Sequence, residues 1–158
     1  MTRIQKIKVL VVDDSRFFRN LIKIGLSADS VIEVVGEASD AIEAAEMIRS
    51  LKPHVLVLDF QMPKINGIEF LKELLPEYPI PVILISSTSG LVFDAMKAGA
   101  VDFVAKPDSS GMDNMDNFIK DLVFKVKIAS TARVGRKPRE EGRAEKAANS
   151  QVTEALRV

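Results

Sequence analysis

"HVLVLDFQMP", residues 54–63, decides the fold. Val55, Leu56, Val57 and Leu58 form an unbroken aliphatic run that ends on a carboxylate, Asp59, with Met62-Pro63 close behind. A short apolar run stopped by a turn signal reads as a strand covered on both faces. A charge at the end of such a strand asks where the strand delivers it.

The same pattern recurs outward from this stretch. "KVLVV" (8–12), "IEVVGE" (32–37), "PVILIS" (81–86) and "VDFVA" (101–105) are further apolar runs of strand length. Between them lie helical patterns over 17–27, 39–51, 65–75, 91–100 and 115–130. Ser15 or Asp14 suits the first N-cap, and Asp40 with Glu43 has capping-box spacing for the second helix. Pro53 stops that second helix, Asn66-Gly67 opens the third, and Pro76 and Pro79 close it. Gly99 suits the C-cap of the fourth. Strands alternating with helices predict an α/β fold with a doubly wound parallel sheet and short right-handed crossovers.

Composition bounds the rest. The 158 residues, 47% of them hydrophobic, suffice for one domain with a real core. With no cysteine there is neither disulfide nor thiolate chemistry. A formal net charge of zero gives no global pull toward nucleic acid or membrane. There is no apolar run of about 18 residues and no signal-peptide core at the start, so the expectation is a cytoplasmic protein. The domain reads as 1–130, followed by a charged linker or tail over 131–158. Residues 133–158 carry seven basic and four acidic side chains and few core candidates. Glu140 and Glu141 directly follow Arg136, Lys137 and Arg139, which favours a solvated linker, with marginal helix over 140–156, above a nucleic-acid patch.

The strand ends carry the chemistry. The first strand ends in Asp13-Asp14, the third in Asp59, the fourth in Ser86-Ser87 and the fifth in Lys106-Pro107. Taken singly these are a helix cap, a loop-starting carboxylate, a structural serine and a surface-loop dipeptide. Together they matter, because open α/β sheets bind ligands outside the carboxyl ends of their strands. Three neighbouring carboxylates repel one another unless a cation sits among them. An all-oxygen set suits a hard ion such as Mg²⁺, its shell completed by water. Aspartate is a nucleophile toward phosphoryl donors, Lys106 supplies a compact positive charge, and Ser86 supplies a hydroxyl donor. Phosphoryl transfer needs chiefly positioning and charge stabilisation.

In "VLVVDDS" (9–15), "VLVLDFQMP" (55–63), "NG" (66–67), "PVILISS" (81–87) and "AGAVDFVAKP" (98–107) the chain resembles the receiver domain of two-component response regulators. The resemblance spans roughly 7–130 and implies a flavodoxin-like sheet of strand order 2-1-3-4-5. It also implies Asp59 as phosphoacceptor, and Asp13, Asp14 and Asp59 as Mg²⁺ ligands with the backbone carbonyl of Gln61. Lys106 contacts the phosphoryl group, Ser86 is the switch hydroxyl, and Phe103 is the switch aromatic that repacks inward on phosphorylation. The phosphodonor implied is a histidine kinase, the receiver assists its own phosphorylation and dephosphorylation, and a phosphorylation-dependent dimer is allowed.

Within that family, "DDSRFFRNLI", "IEVVGEASDAIEA", "ISSTS" and "GAVDFVAKP" are most similar to the receiver at the N-terminus of chemotaxis protein-glutamate methylesterase. This implies regulation of a methylesterase domain in chemotaxis. The sequence holds no G-x-S-x-G motif, and its sole histidine is His54, so the esterase chemistry is not expected in these residues. A cut-out regulatory domain and a stand-alone relative both fit. Phe60-Gln61 replace an expected Ile-Glu, Asn66 an Asp and Ala41 a Gly, and the stretch from Ser86 to Lys106 is short.

Three rivals remain. An aspartyl-phosphate hydrolase places its nucleophile on the first strand with an Asp two residues on, which Asp13-Asp14-Ser15 does not match. A nucleotide or flavin binder wants a glycine-rich loop where "DDSRFF" stands. An interaction module without phosphorylation leaves Asp59 and Lys106 unexplained. His54 reads as a surface strand-start residue. Phe17, Phe18, Phe70, Phe93, Phe118 and Phe124 read as core or interface packing.

Overall fold

The computed structural model describes residues 5–87, 89–107 and 112–131; of the expected tail over 131–158, all but Thr131 lies outside them. Among the described residues five strands, β1 (Ile7–Val12), β2 (Ile32–Ala38), β3 (Val55–Asp59), β4 (Val82–Ser86) and β5 (Asp102–Ala105), alternate with five helices. These are α1 (Arg16–Ser27), α2 (Ala41–Leu51), α3 (Gly67–Leu74), α4 (Val92–Ala98) and α5 (Met112–Ala129), with a 3₁₀ turn over Ser89–Leu91 before α4. All strands pair in parallel, in the order β2-β1-β3-β4-β5. Among the described residues, no helix is long and apolar enough to cross a membrane.

Strand alternation builds two separate cores. Val9, Val11, Val55, Val57, Ile83, Ile85 and Val104 face α1 and α5, where they meet Phe18, Ile22, Leu26, Phe118, Leu122 and Val126. Leu10, Val12, Leu56, Leu58 and Leu84 face the other way, onto Ala44, Ile48, Phe70, Leu71, Leu74 and Ala95 of α2, α3 and α4. Side chains two apart share a face, so an apolar run with no polar alternation is what a doubly covered sheet requires. Deleting one such buried leucine side chain costs about 2–5 kcal/mol.

Local signals set the helix ends. Ser15, not Asp14, caps α1, its Oγ accepting from the Phe18 N–H at 3.2 Å. Asp40 caps α2 through the Glu43 N–H at 2.9 Å, but the expected capping box forms only by half. The Glu43 carboxylate accepts from the N–H of Ser39 at 2.7 Å, one residue before the cap. A full box stands instead at α3, between Asn66 and Glu69. Gly99 takes the left-handed conformation (φ 112°) that ends α4. Helix α5 starts at Met112, three residues before the expected 115, where Asp113 and Asn114 interrupt the apolar pattern.

The six phenylalanines read from the sequence as packing residues divide. Phe18, Phe70 and Phe118 are core, but Phe17, Phe93 and Phe124 are exposed by more than 60% and are not core packing. His54 is exposed, as expected, and its Nδ1 accepts from the Lys8 N–H at 3.0 Å, tying β1 to the start of β3.

Candidate functional site

Pairing register brings the strand ends together. Val12 of β1 sits beside Leu58 of β3, Asp59 beside Ile85 of β4, and Ser86 beside Ala105 of β5. Asp13, Asp59, Ser86 and Lys106 therefore emerge along one edge. The Phe60 N–H donates to the Ile85 carbonyl at 2.8 Å and the Lys106 N–H to the Ser86 carbonyl at 2.9 Å, fixing the backbone on either side.

One oxygen from each of Asp13, Asp14 and Asp59 lies within 4.8 Å of the others. Asp13 and Asp59 are 0% and 2% exposed, whereas Asp14 faces solvent. Ser86, at the end of neighbouring β4, is also buried. The Lys106 ammonium is 3.5 Å from Asp59 Oδ2 and 3.9 Å from Asp13 Oδ2. Asp13 Oδ1 accepts from the Ser15 N–H at 2.8 Å, while Asp13 Oδ2 is buried with no hydrogen-bond partner. One lysine at these distances does not neutralise two buried carboxylates, and a buried acceptor without a donor is costly. The donor set is all oxygen and one buried oxygen is uncommitted, which fits a hard divalent cation.

The electrostatics follow from this crowding. Burial, reinforced by the Asp13 charge, pushes the Asp59 carboxyl up to about 6, against the pull of Lys106 and a backbone hydrogen bond from Gln61. Burial likewise raises Asp13, opposed by the Ser15 N–H and by Lys106.

Each expected residue has a place. Gln61 reaches Asp59 through its backbone, and its side chain is exposed. Phe103, expected to swing inward on phosphorylation, is already 9% exposed and packs with the α2–α3–α4 core. Its carbonyl accepts from Lys125 Nζ of α5 at 2.9 Å.

Two residues escaped the sequence reading as part of the site. Gly67 lets α3 start against the end of β3: an added Cβ would lie 3.1 Å from the Asp59 carbonyl oxygen and 3.0 Å from Phe60 Cα. "NG" signalled the turn but not this close approach. Phe18 places its ring 4.6 Å from Lys106 Nζ, and only helix phase distinguishes it from Phe17.

The response regulator receiver domain family matches residues 9–132 of the chain. The chain belongs to that family. It is thus a receiver domain of two-component signalling. A protein-glutamate methylesterase/protein-glutamine glutaminase 2 of Syntrophomonas wolfei is 52% identical over 135 residues, covering 85% of this chain and 40% of that protein. The protein-glutamate methylesterase/protein-glutamine glutaminase of Pyrococcus horikoshii is 42% identical over 130 residues, covering 80% of this chain and 35% of that protein. The chain spans about two fifths of the length of these curated relatives. Among solved structures, the response regulator domain of Thermotoga maritima CheB superposes with a TM-score of 0.74 at 37% identity, covering 81% of this chain and 98% of that one.

Proposed function

We propose that this receiver accepts a phosphoryl group on Asp59 from the phosphohistidine of a partner histidine kinase. The observation that carries the reading is a buried Asp59 at the end of central β3, with Lys106 at 3.5 Å and two further aspartates within 4.8 Å. With its carboxyl raised only to about 6, Asp59 is mostly ionised at neutral pH and can act as a nucleophile. Its oxygen attacks phosphorus, the bond from phosphorus to the imidazole nitrogen breaks, and the electron pair stays on the histidine. The Lys106 side chain faces the transferring oxygens. Asp13, Asp14, Asp59 and the Gln61 carbonyl would hold Mg²⁺, which would supply charge neutralisation at the phosphoryl group when bound. The Ser86 hydroxyl donates to a phosphoryl oxygen in the product. Drawing Ser86 toward the phosphoryl oxygens biases the face of α4, β5 and α5, where the Phe103 carbonyl accepts from Lys125 Nζ.

We also propose that the domain proper runs to about residue 130, with 131–158 as a charged linker or tail, a reading made on the sequence alone. The likeness to methylesterase N-termini supports a regulatory role toward a methylesterase domain in chemotaxis, in a cytoplasmic setting. Phosphorylation there changes the fit between receiver and effector.

Acetyl phosphate with Mg²⁺ should add one phosphoryl group to the intact mass of the wild-type chain. Asp59→Asn, or excess chelator, should add none. Full labelling of Asp59→Asn would overturn the assignment.

A further inference from the structure

We infer that Phe18 is the positioning residue for Lys106, an inference that rests on the phosphoacceptor reading above. The Lys106 ammonium lies 4.6 Å from the centroid of the Phe18 ring. Its carboxylate contacts, at 3.5 and 3.9 Å, are longer than the roughly 2.7–2.9 Å of a tight charge-assisted hydrogen bond. The ammonium makes one long hydrogen bond, to Asp59 Oδ2 at 3.5 Å, and none to Asp13. It is held between them with proton donors to spare, which is the state in which an incoming phosphoryl group can use it.

A lysine stem is flexible, so something must hold it there. One end is fixed by the Lys106 N–H on the Ser86 carbonyl at 2.9 Å. The other rests on an aromatic face, which attracts a cation through its quadrupole and demands no hydrogen-bond donor. That distinction matters, because a carboxylate or carbonyl prop would consume the donors the phosphoryl oxygens need. The ring is itself immobilised: Phe18 is 8% exposed and leans on Phe118 of α5, centroids 5.4 Å apart and planes tilted by 40°. Offset, tilted pairs of this kind are a favoured aromatic arrangement. Phe118, Phe18 and Lys106 thus form a line from α5 through α1 to the strand ends.

The test uses Phe18→Leu, which keeps bulk without a π face, Phe18→Tyr, which keeps the face, and each in a Lys106→Ala background. Phe18→Leu should be labelled by acetyl phosphate about tenfold more slowly at saturating Mg²⁺, a cation–π loss of about 1.4 kcal/mol. Its magnesium midpoint should move less than about twofold if the effect runs through Lys106 alone, and Phe18→Tyr should keep the wild-type rate. In the Lys106→Ala background Phe18→Leu should cause no further slowing. Independently of labelling, the Lys106 ε-methylene protons of the metal-free wild-type protein should resonate upfield, shielded by the ring, and lose that shift in Phe18→Leu. If Phe18→Leu does not fold, Phe18→Met carries the same comparison. Equal slowing with and without Lys106, or an ε-methylene signal indifferent to Phe18, would overturn the inference. Failure of the wild-type chain to label at all would instead remove the phosphoacceptor reading, leaving the ring shift as a test of the contact.

Discussion

Two acid–base clusters sit at the carboxyl edge of the same sheet and are built in opposite ways. At the end of β2, Glu37 is half-buried and receives Arg19 Nε at 2.7 Å and Lys23 Nζ at 2.5 Å. These two partners hold its carboxyl below the usual range. At the ends of β1 and β3, Asp13 and Asp59 are fully buried and share one lysine at 3.5 and 3.9 Å, and both carboxyls are pushed up. The first cluster is complete within the chain and serves stability. The second is short of positive charge, with one lysine facing two buried carboxylates. Under-compensation is the signature of a binding site, whereas a closed ion pair is architecture.

The largest test of that contrast is Asp59→Asn in chelator. Raising a carboxyl from 3.8 to about 6 penalises its ionised form by about 3 kcal/mol at neutral pH and above. The substitution removes that penalty, so the metal-free variant should melt above the wild type by several degrees, about 2–4 °C per kcal/mol. Saturating Mg²⁺ should close the gap by stabilising only the wild type. The pH dependence has the same sign. Asp59 binds its proton more tightly folded than unfolded, so its contribution is full below 3.8 and is lost as pH rises through about 6. Glu37 behaves oppositely, contributing above 4.5 and losing its contribution as pH falls through its lowered folded value. Metal-free melting temperature should therefore peak on the acid side of neutrality, and Asp59→Asn should flatten the alkaline flank. A wild-type curve flat from about pH 4 to about pH 7, which brackets the rise from 3.8 to about 6, would break the comparison.

Gly67→Ala comes next. An alanine near a helix start gains at most about 1 kcal/mol of helix propensity. Against that, its Cβ would meet Leu84 Cδ1 and Phe60 Cα at 3.0 Å and the Asp59 carbonyl at 3.1 Å, two of them backbone atoms with little room to yield. Overpacking of this kind costs about 1–3 kcal/mol, so a net loss is expected in urea titrations. Because the displaced atoms carry Asp59, labelling should slow as well. A variant as stable and as quickly labelled as wild type would show that α3 can retreat without moving the acceptor.

The strands were legible because a doubly covered parallel strand has no polar face to disguise it: "VLVL" at 55–58 permits little else. Asp13, Asp59 and Lys106 were legible for the complementary reason that a charge abutting such a run stands out. What could not be read depended on phase and on distance. Phe17 and Phe18 are the same residue type side by side, and only the start of α1 at Arg16 sends one ring outward and the other under Lys106. Phe93 and Phe124 kept helical spacing yet lie on outer faces, since periodicity locates a stripe without saying what covers it. The Glu43 side chain chose the Ser39 N–H over that of Asp40, a difference of one residue that spacing rules do not resolve. The inward position of Phe103 depends on packing across β4 and α4, which no local pattern encodes.

The smallest effect belongs to the closed cluster. Glu37→Gln removes a half-exposed charge, so despite short contacts the expected loss is below about 1 kcal/mol. Glutamine can still accept from Arg19, and Arg19 keeps its second anchor, the Asp13 carbonyl at 2.7 Å, so α1 need not move. Salt then separates the two clusters more sharply than magnitude does. At about 1 M salt the screening length falls to about 3 Å, and the Glu37→Gln penalty should vanish. The stabilisation from Asp59→Asn should persist, because burial dominates the rise of that carboxyl and bulk ions do not relieve desolvation. If both effects faded together with salt, the strand-end aspartates would be behaving as surface charges. The distinction between a charge-deficient site and a finished ion pair would then be lost.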